Sequence, residues 1–291
     1  MEHLFAGPRP FRGSDAVRTG RTTPDLLRGP TFARVGCGLH IGAAIKVDVR
    51  VRTLATSLKG RGRGVVAGPL AALAWKAECP WDDAELILPT SRRLVSDGVR
   101  VRVDRLAPDE VAERFGVAIT SPLRTAFDLA RRHPLDEAVA AVDALCFKVG
   151  LTRDDLVAVA AAHPGARGLL QLREVIDLME PLSESVKESQ LRLGLVHRGV
   201  PRPVAQYEVT LPSGKDARLD LAWPRLPRRR PFALEYDGPE HRTIPGQNAD
   251  KLRDAALDDI GWEVMHVSSR QVLDPREFDA LAIRVRRRVD P

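Results

Sequence analysis

Residues 218–238 read Arg-Leu-Asp-Leu-Ala-Trp-Pro-Arg-Leu-Pro-Arg-Arg-Arg-Pro-Phe-Ala-Leu-Glu-Tyr-Asp-Gly, two apolar runs joined by a stretch rich in proline and arginine. Side chains alternate along a strand, so each run can be assigned two faces. In the first, Leu219, Leu221 and Trp223 are expected on one face and Asp220 on the other. In the second, Phe232, Leu234 and Tyr236 share a face, which sends Glu235 and Asp237 together to the opposite side. If both apolar faces rest on one core, three carboxylates converge on one patch of sheet.

The neighbouring pattern extends this pair into a unit. A helix is expected over 185–198 and a strand over 205–211 before it; a helix around 250–260, a strand over 262–268 and a helix over 275–288 follow. Helix, three strands, helix, strand, helix predicts an α/β (α+β) domain with a mixed central sheet, residues 181–291, bounded by the break Glu180-Pro181-Leu182-Ser183.

Upstream, 49–180 reads as an α/β middle region. Helical patterns cover 49–58, 65–76, 135–147 and 168–179, and strands 85–89 and 99–103. Ser121-Pro122 opens another helix, and Thr152-Arg153-Asp154-Asp155 is a capping box. In residues 1–48, Thr23-Pro24 starts a short helix, and 32–41, with Gly36 and Gly38, suits a hairpin.

The 291 residues are 44% hydrophobic and 29% charged, enough apolar material for a core, which argues against global disorder. Lys and Arg total 45 against 39 Asp and Glu, a net +6 that permits a polyanionic partner without demanding one. Aromatic content of 5% is low for a single-strand binder built on base stacking. Without a membrane-length apolar run or a signal-peptide pattern, the expectation is a cytoplasmic protein with no membrane association. Cys37, Cys79 and Cys146 stand singly and read as reduced, mostly buried thiols.

Clustered carboxylates repel one another and suit a hard cation such as Mg²⁺ or Mn²⁺, which keeps waters and binds substrate phosphates. Asp220, Glu235 and Asp237 are the candidate ligands, and His241 stands close enough in sequence to act as base or leaving-group contact. The same residues also admit a plainer account: Asp237-Gly238 is a common turn pair, and Glu235 suits a solvated face. Glu188 would add a fourth carboxylate from the preceding helix, or close a capping box on Ser185 instead. Asp250, Arg253, Asp254 and Asp258 have the spacing of intrahelical ion pairs, with Arg253 also able to reach a phosphate. Arg228, Arg229 and Arg230 are candidate contacts to a DNA backbone.

These residues resemble a known family. Glu188-Ser189, Gln206, Arg-Leu-Asp-Leu around Asp220, Glu-Tyr-Asp-Gly-x-x-His from Glu235 to His241, Asp-x-x-Arg-Asp from Asp250, and Gly261-Trp262 resemble the Vsr-like domain related to very-short-patch-repair endonucleases, within the PD-(D/E)XK nuclease superfamily. The resemblance implies a restriction-endonuclease-like fold, a Mg²⁺-dependent endonuclease acting on DNA in repair or defence, Asp220 as central metal ligand and Glu235 as its partner. Asp237 stands where that superfamily carries lysine. Arg28-Gly29-Pro30 and Thr120-Ser121-Pro122-Leu123-Arg124-Thr125-Ala126-Phe127-Asp128 resemble actinobacterial proteins with an AbiEi-like antitoxin region. That implies a winged-helix-like DNA-binding segment before the α/β middle region; a toxin–antitoxin partner acting by protein contact is a third expectation. The alternative expectation is a non-catalytic, antitoxin-type transcriptional regulator on a degenerate nuclease fold.

Overall fold

The computed structural model describes residues 9–90, 98–237 and 244–290, with the side chains of 244–250 excepted. Among the described residues the fold is mixed α/β with three sheets. Among the described residues no helix is long and apolar enough to cross a membrane.

The N-terminal unit runs β1 (Phe11–Arg12), α1 (Gly13–Arg18), α2 (Pro24–Arg28), β2 (Phe32–Gly36) and β3 (Leu39–Gly42). Thr23 caps α2 as expected, accepting from the Leu26 N–H, with Pro24 in the first turn. The hairpin and β1 form a three-stranded antiparallel sheet in the order β1-β3-β2.

The middle region contains α3 (Val49–Lys59), β4 (Val65–Ala67), α4 (Gly68–Ala74), β5 (Glu85–Leu88), β6 (Arg100–Val103), β7 (Val111–Arg114) and β8 (Val117–Thr120). The helices α5 (Pro122–Arg132), α6 (Leu135–Val149), α7 (Arg153–Ala162) and α8 (Leu169–Leu178) follow. The strands form one sheet, β6-β5-β4-β8-β7. One reading of this region is corrected. The helix expected over 65–76 begins as a strand, because β-branched Val65 and Val66 pair with β5 and Gly68 takes a left-handed φ of 65°. The β7–β8 hairpin was not anticipated; its two-residue turn, Phe115-Gly116, has positive φ at both positions (56° and 79°), as a type I′ turn requires.

The Ser-Pro-Leu-Arg-Thr element has a structural explanation. Ser121 caps α5, and Arg124, 1% exposed, donates to Asp128 at 3.0 Å, Glu110 at 2.8 Å and Asp104 at 2.5 Å. One guanidinium thus ties the helix to the strand segments around it.

The C-terminal unit consists of α9 (Val186–His197), β9 (Val204–Thr210), β10 (Asp216–Trp223), β11 (Phe232–Asp237), α10 (Ile244–Asp259), β12 (Glu263–Ser268), α11 (Ser269–Leu273) and α12 (Pro275–Val289). The expected element order is present. Its sheet, β12-β11-β10-β9, is mixed: β9, β10 and β11 are antiparallel neighbours, and β12 returns parallel to β11. One face packs Leu221, Trp223, Phe232 and Leu234 on Leu191 and Leu195 of α9 and Leu281 and Val285 of α12. The other packs Leu219, Ala222 and Ala233 on Leu257 of α10 and Trp262.

The break at residues 180–183 is a tightly held turn. The Met179 carbonyl accepts from Arg153 and Arg202, and the Ser183 N–H donates to the Glu180 carbonyl at 3.0 Å.

Candidate functional site

The simple alternation read for the first strand fails at Asp220. Leu219 lies with Ala217 and Ala222 on the α10 side, whereas Leu221 and Trp223 lie on the α9/α12 side. The facing strand changes sides at the same level: Ala205 belongs to the α9/α12 core and Tyr207 to the α10 core. Between them Gln206 has a φ of 50°, a left-handed backbone that costs a non-glycine residue about 1 kcal/mol. Leu219, Leu221 and Trp223 therefore do not share a face, and Asp220 and Gln206 occupy the crossover between the two cores.

The ladder between β10 and β11 ends at the same place. Their paired residues run from Trp223–Phe232 to Leu221–Leu234. Beyond that, the Tyr236 N–H donates to Asp220 Oδ2 at 2.8 Å, a side-chain carboxylate standing in for a strand carbonyl. Asp220 Oδ1 accepts from Gln206 Nε2 at 3.3 Å, and the same nitrogen donates to Glu188 Oε2 at 2.8 Å. Gln206 thus links the carboxylates of α9 and β10.

Glu188 stands beside Asp220 through Gln206 and lies in the first turn of α9, but it does not close the expected capping box. Ser185 caps α9 by accepting from the Glu188 N–H at 3.2 Å. The Glu188 carboxylate does not close a box on the Ser185 amide; it accepts instead from the Ser185 hydroxyl at 2.9 Å and the Glu184 N–H at 3.1 Å. Burial, followed by the neighbouring charge of Asp220, pushes its carboxyl up to about 7.

Glu235 reaches the site from β11, one residue beyond the last β10–β11 pair. Burial raises its carboxyl to about 7, with Asp220 adding to the effect against the opposing pull of Arg253. Arg253 Nη2 donates to Glu235 Oε1 at 3.0 Å and to the Arg218 carbonyl at 2.6 Å. Asp220 is likewise raised, chiefly by burial. Three carboxylates with elevated proton affinity and one guanidinium therefore gather at the crossover.

Asp237 does not join them. Half exposed at the end of β11, its carboxylate contacts His266 Nδ1 at 3.0 Å, and His266 Nε2 contacts Asp254 at 2.9 Å. Burial opposes charge on this imidazole, but the two carboxylates outweigh it and raise its pKa. The expected triple of Asp220, Glu235 and Asp237 is thus divided. Among the described residues no group of three His, Cys, Asp or Glu side chains is assembled for a metal ion. His241 lies outside the described residues, as does the side chain of Asp250.

The arginine assignments divide as well. Arg229 donates to the carbonyls of Arg287 at 2.5 Å and Arg288 at 3.0 Å, capping the end of α12. Arg230 donates to the carbonyls of Gly261 and Trp262 and pairs with Asp258. Both are therefore fastened to neighbouring elements, while Arg228 is exposed in the same connection. On α10 the spacing suggested intrahelical pairs. Instead, Arg253, Asp254 and Asp258 reach Glu235, His266 and Arg230, because the helix lies across the sheet.

His266 carries no signal in the residue pattern, and Asp254 is visible there only through its helical spacing and the Asp-x-x-Arg-Asp motif. Their partners lie on other elements, and only the parallel register, with Glu235 beside His266, brings them together.

No protein-family model matches the chain. Two curated relatives are each 30% identical over 203 residues, covering 69% of this chain and 70% of theirs. They are "Uncharacterized protein MT2308" of Mycobacterium tuberculosis strain CDC 1551 / Oshkosh and "Uncharacterized protein Rv2248" of Mycobacterium tuberculosis strain ATCC 25618 / H37Rv. The chain belongs to the family of these two mycobacterial proteins.

Proposed function

We propose that the chain is a DNA-acting, divalent-cation-dependent phosphodiesterase whose site is Asp220 and Glu235, flanked by Glu188, Gln206 and Arg253. The observation that carries this reading is the crossover at Asp220, where two strands part, Gln206 links Asp220 to the buried Glu188, and the partly buried Glu235 lies nearby, paired with Arg253, all three carboxylates having raised pKa. Repulsion of this kind is retained in proteins mainly where function uses it.

The donor set suits the cation. It offers only hard oxygens, and Mg²⁺ is commonly held by one or two carboxylates with water and substrate phosphate completing its shell. Asp220 and Glu235 would hold it, and it would lower the pKa of a bound water and neutralise phosphate charge. Arg253 supplies a fixed positive charge beside Glu235, at a site whose sequence carries Asp237 where lysine was expected. Glu188 can hold a proton near neutral pH, as a group exchanging protons with water must.

A second reading has its own support. Because Arg253 already pairs with Glu235 and no three-ligand group is assembled among the described residues, the same fold suits a non-catalytic DNA-binding regulator. The N-terminal unit, two short helices beside a three-stranded sheet, would be the DNA-binding part of such a regulator. Arg18, Arg28 and Arg34 line a groove of about 970 Å³ there.

Incubation of supercoiled and linear DNA with the full chain and Mg²⁺ or Mn²⁺ separates the two. Cleavage abolished by Asp220→Ala in a folded protein supports the first. Retained cleavage in that variant overturns the site assignment, and salt-dependent binding without cleavage in the wild type favours the regulator.

A further inference from the structure

Two adjacent residues of α9 face different parts of the molecule. Glu188 is bound to Gln206 and through it to Asp220. Ser189 points the other way, its hydroxyl donating to Asp143 Oδ2 on α6 at 2.7 Å. One turn later Arg192 Nη2 donates to the same oxygen at 2.8 Å, and its Nη1 to the Leu178 carbonyl at 2.7 Å. The Glu180 N–H completes the shell of Asp143 at 2.7 Å. Asp143 and Ser189 are 0% exposed and Arg192 1%.

An ion pair so deeply buried adds little stability over an apolar contact of the same size, because desolvation offsets the attraction. Its distinctive effect is geometric. Two hydrogen bonds from α9, with a third from the Glu180 N–H before it, converge on one carboxylate and fix the rotation and translation of α9 on α6. The start of α9 is fixed separately, with the Val186 N–H donating to Glu78 at 3.1 Å. A helix held at both points has no freedom to carry Glu188 toward or away from Gln206.

We propose that Asp143 is a positioning residue for the carboxylate site, so that the middle region's α6 sets the place of Glu188 relative to Asp220. Its effect on turnover rests on the phosphodiesterase reading; its effect on geometry does not. Asp143 touches none of the site's groups and acts only through Ser189 and Arg192.

The test uses the full-length chain with glutamine side chains labelled with ¹⁵N. The Gln206 amide, shared between Glu188 and Asp220, reports the geometry of the site without any activity. In Asp143→Asn its resonances are expected to move from their wild-type positions, and DNA cleavage to lose roughly ten- to a hundredfold in kcat with KM unchanged. Ser189→Ala keeps the Asp143–Arg192 pair and is expected to move the same resonances less. It decides the matter if Asp143→Asn does not fold. Wild-type Gln206 resonances in either folded variant would overturn the proposal. If the wild type cleaves no DNA, the phosphodiesterase reading fails by itself, and the Gln206 resonances still decide the positioning role.

Discussion

Replacing Glu188 with glutamine should make the protein more stable at pH 8. The ordinary carboxyl value of 4.5 becomes about 7 in the folded chain, because burial and then the charge of Asp220 disfavour ionisation. A shift of that size corresponds to about 3 kcal/mol at roughly 1.4 kcal/mol per pH unit. The sign follows from proton binding. Between pH 4.5 and about 7 the folded state holds the proton and the unfolded chain has released it. Stability is therefore fully present below 4.5 and declines as pH rises through about 7. Glutamine is nearly isosteric, and its NH₂ can donate to the Ser185 hydroxyl while its oxygen accepts from Gln206. The variant should match the wild type near pH 4.5 and exceed it at pH 8 by about 1–3 kcal/mol. Urea unfolding of both proteins across that range is the assay. A variant less stable than the wild type at pH 8 would refute the reasoning, since it would mean that the ionised carboxylate stabilises α9 as an acceptor.

Other substitutions probe the surrounding framework. Arg124→Met should cost about 2–3 kcal/mol in urea unfolding, because it removes three charge-assisted hydrogen bonds to Asp128, Glu110 and Asp104, although Arg131 and Arg132 still pair with the two aspartates. A loss below about 1 kcal/mol would show that water reaches that cluster. Gly168→Ala should be far more destabilising than Gly150→Ala. Both glycines have left-handed φ, but a Cβ at 168 would lie 2.2 Å from the Arg131 carbonyl oxygen, whereas nothing lies within 4 Å of one at 150. Equal melting temperatures would contradict that account. Arg229→Ala should lower the melting temperature without weakening DNA binding, since its guanidinium caps α12, while Arg228→Ala should weaken binding at low salt without affecting the melt. The reverse pattern in a binding assay would exchange their roles.

Much of the C-terminal unit could be read from residues 185–288, because its strands are short, strongly apolar and bounded by proline, glycine and arginine-rich turns. The carboxylates Asp220 and Glu235 were visible for the same reason: each interrupts an apolar run. Other features depended on geometry that spacing does not encode. Strict alternation assumed an undistorted strand, and the left-handed backbone at Gln206 breaks that assumption where the site forms. Arg253 and Asp254 looked like a self-contained helical surface until α10 was laid across the sheet. Asp237 shared a predicted face with Glu235, but its position at the strand end lets it turn to His266 instead. In the middle region, the Phe115-Gly116 turn was obscured because a positive φ at phenylalanine is uncommon.

The central claim is that Asp220 anchors a divalent-cation site, and thermal melts with EDTA, Mg²⁺ or Mn²⁺ test it most directly. A cation that binds only the folded chain stabilises it by mass action, by about 2.7 kcal/mol at a hundred times its dissociation constant. The account predicts a concentration-dependent rise in Tm for the wild type and none for Asp220→Asn. An unchanged wild-type Tm, or equal rises in both proteins, would contradict it.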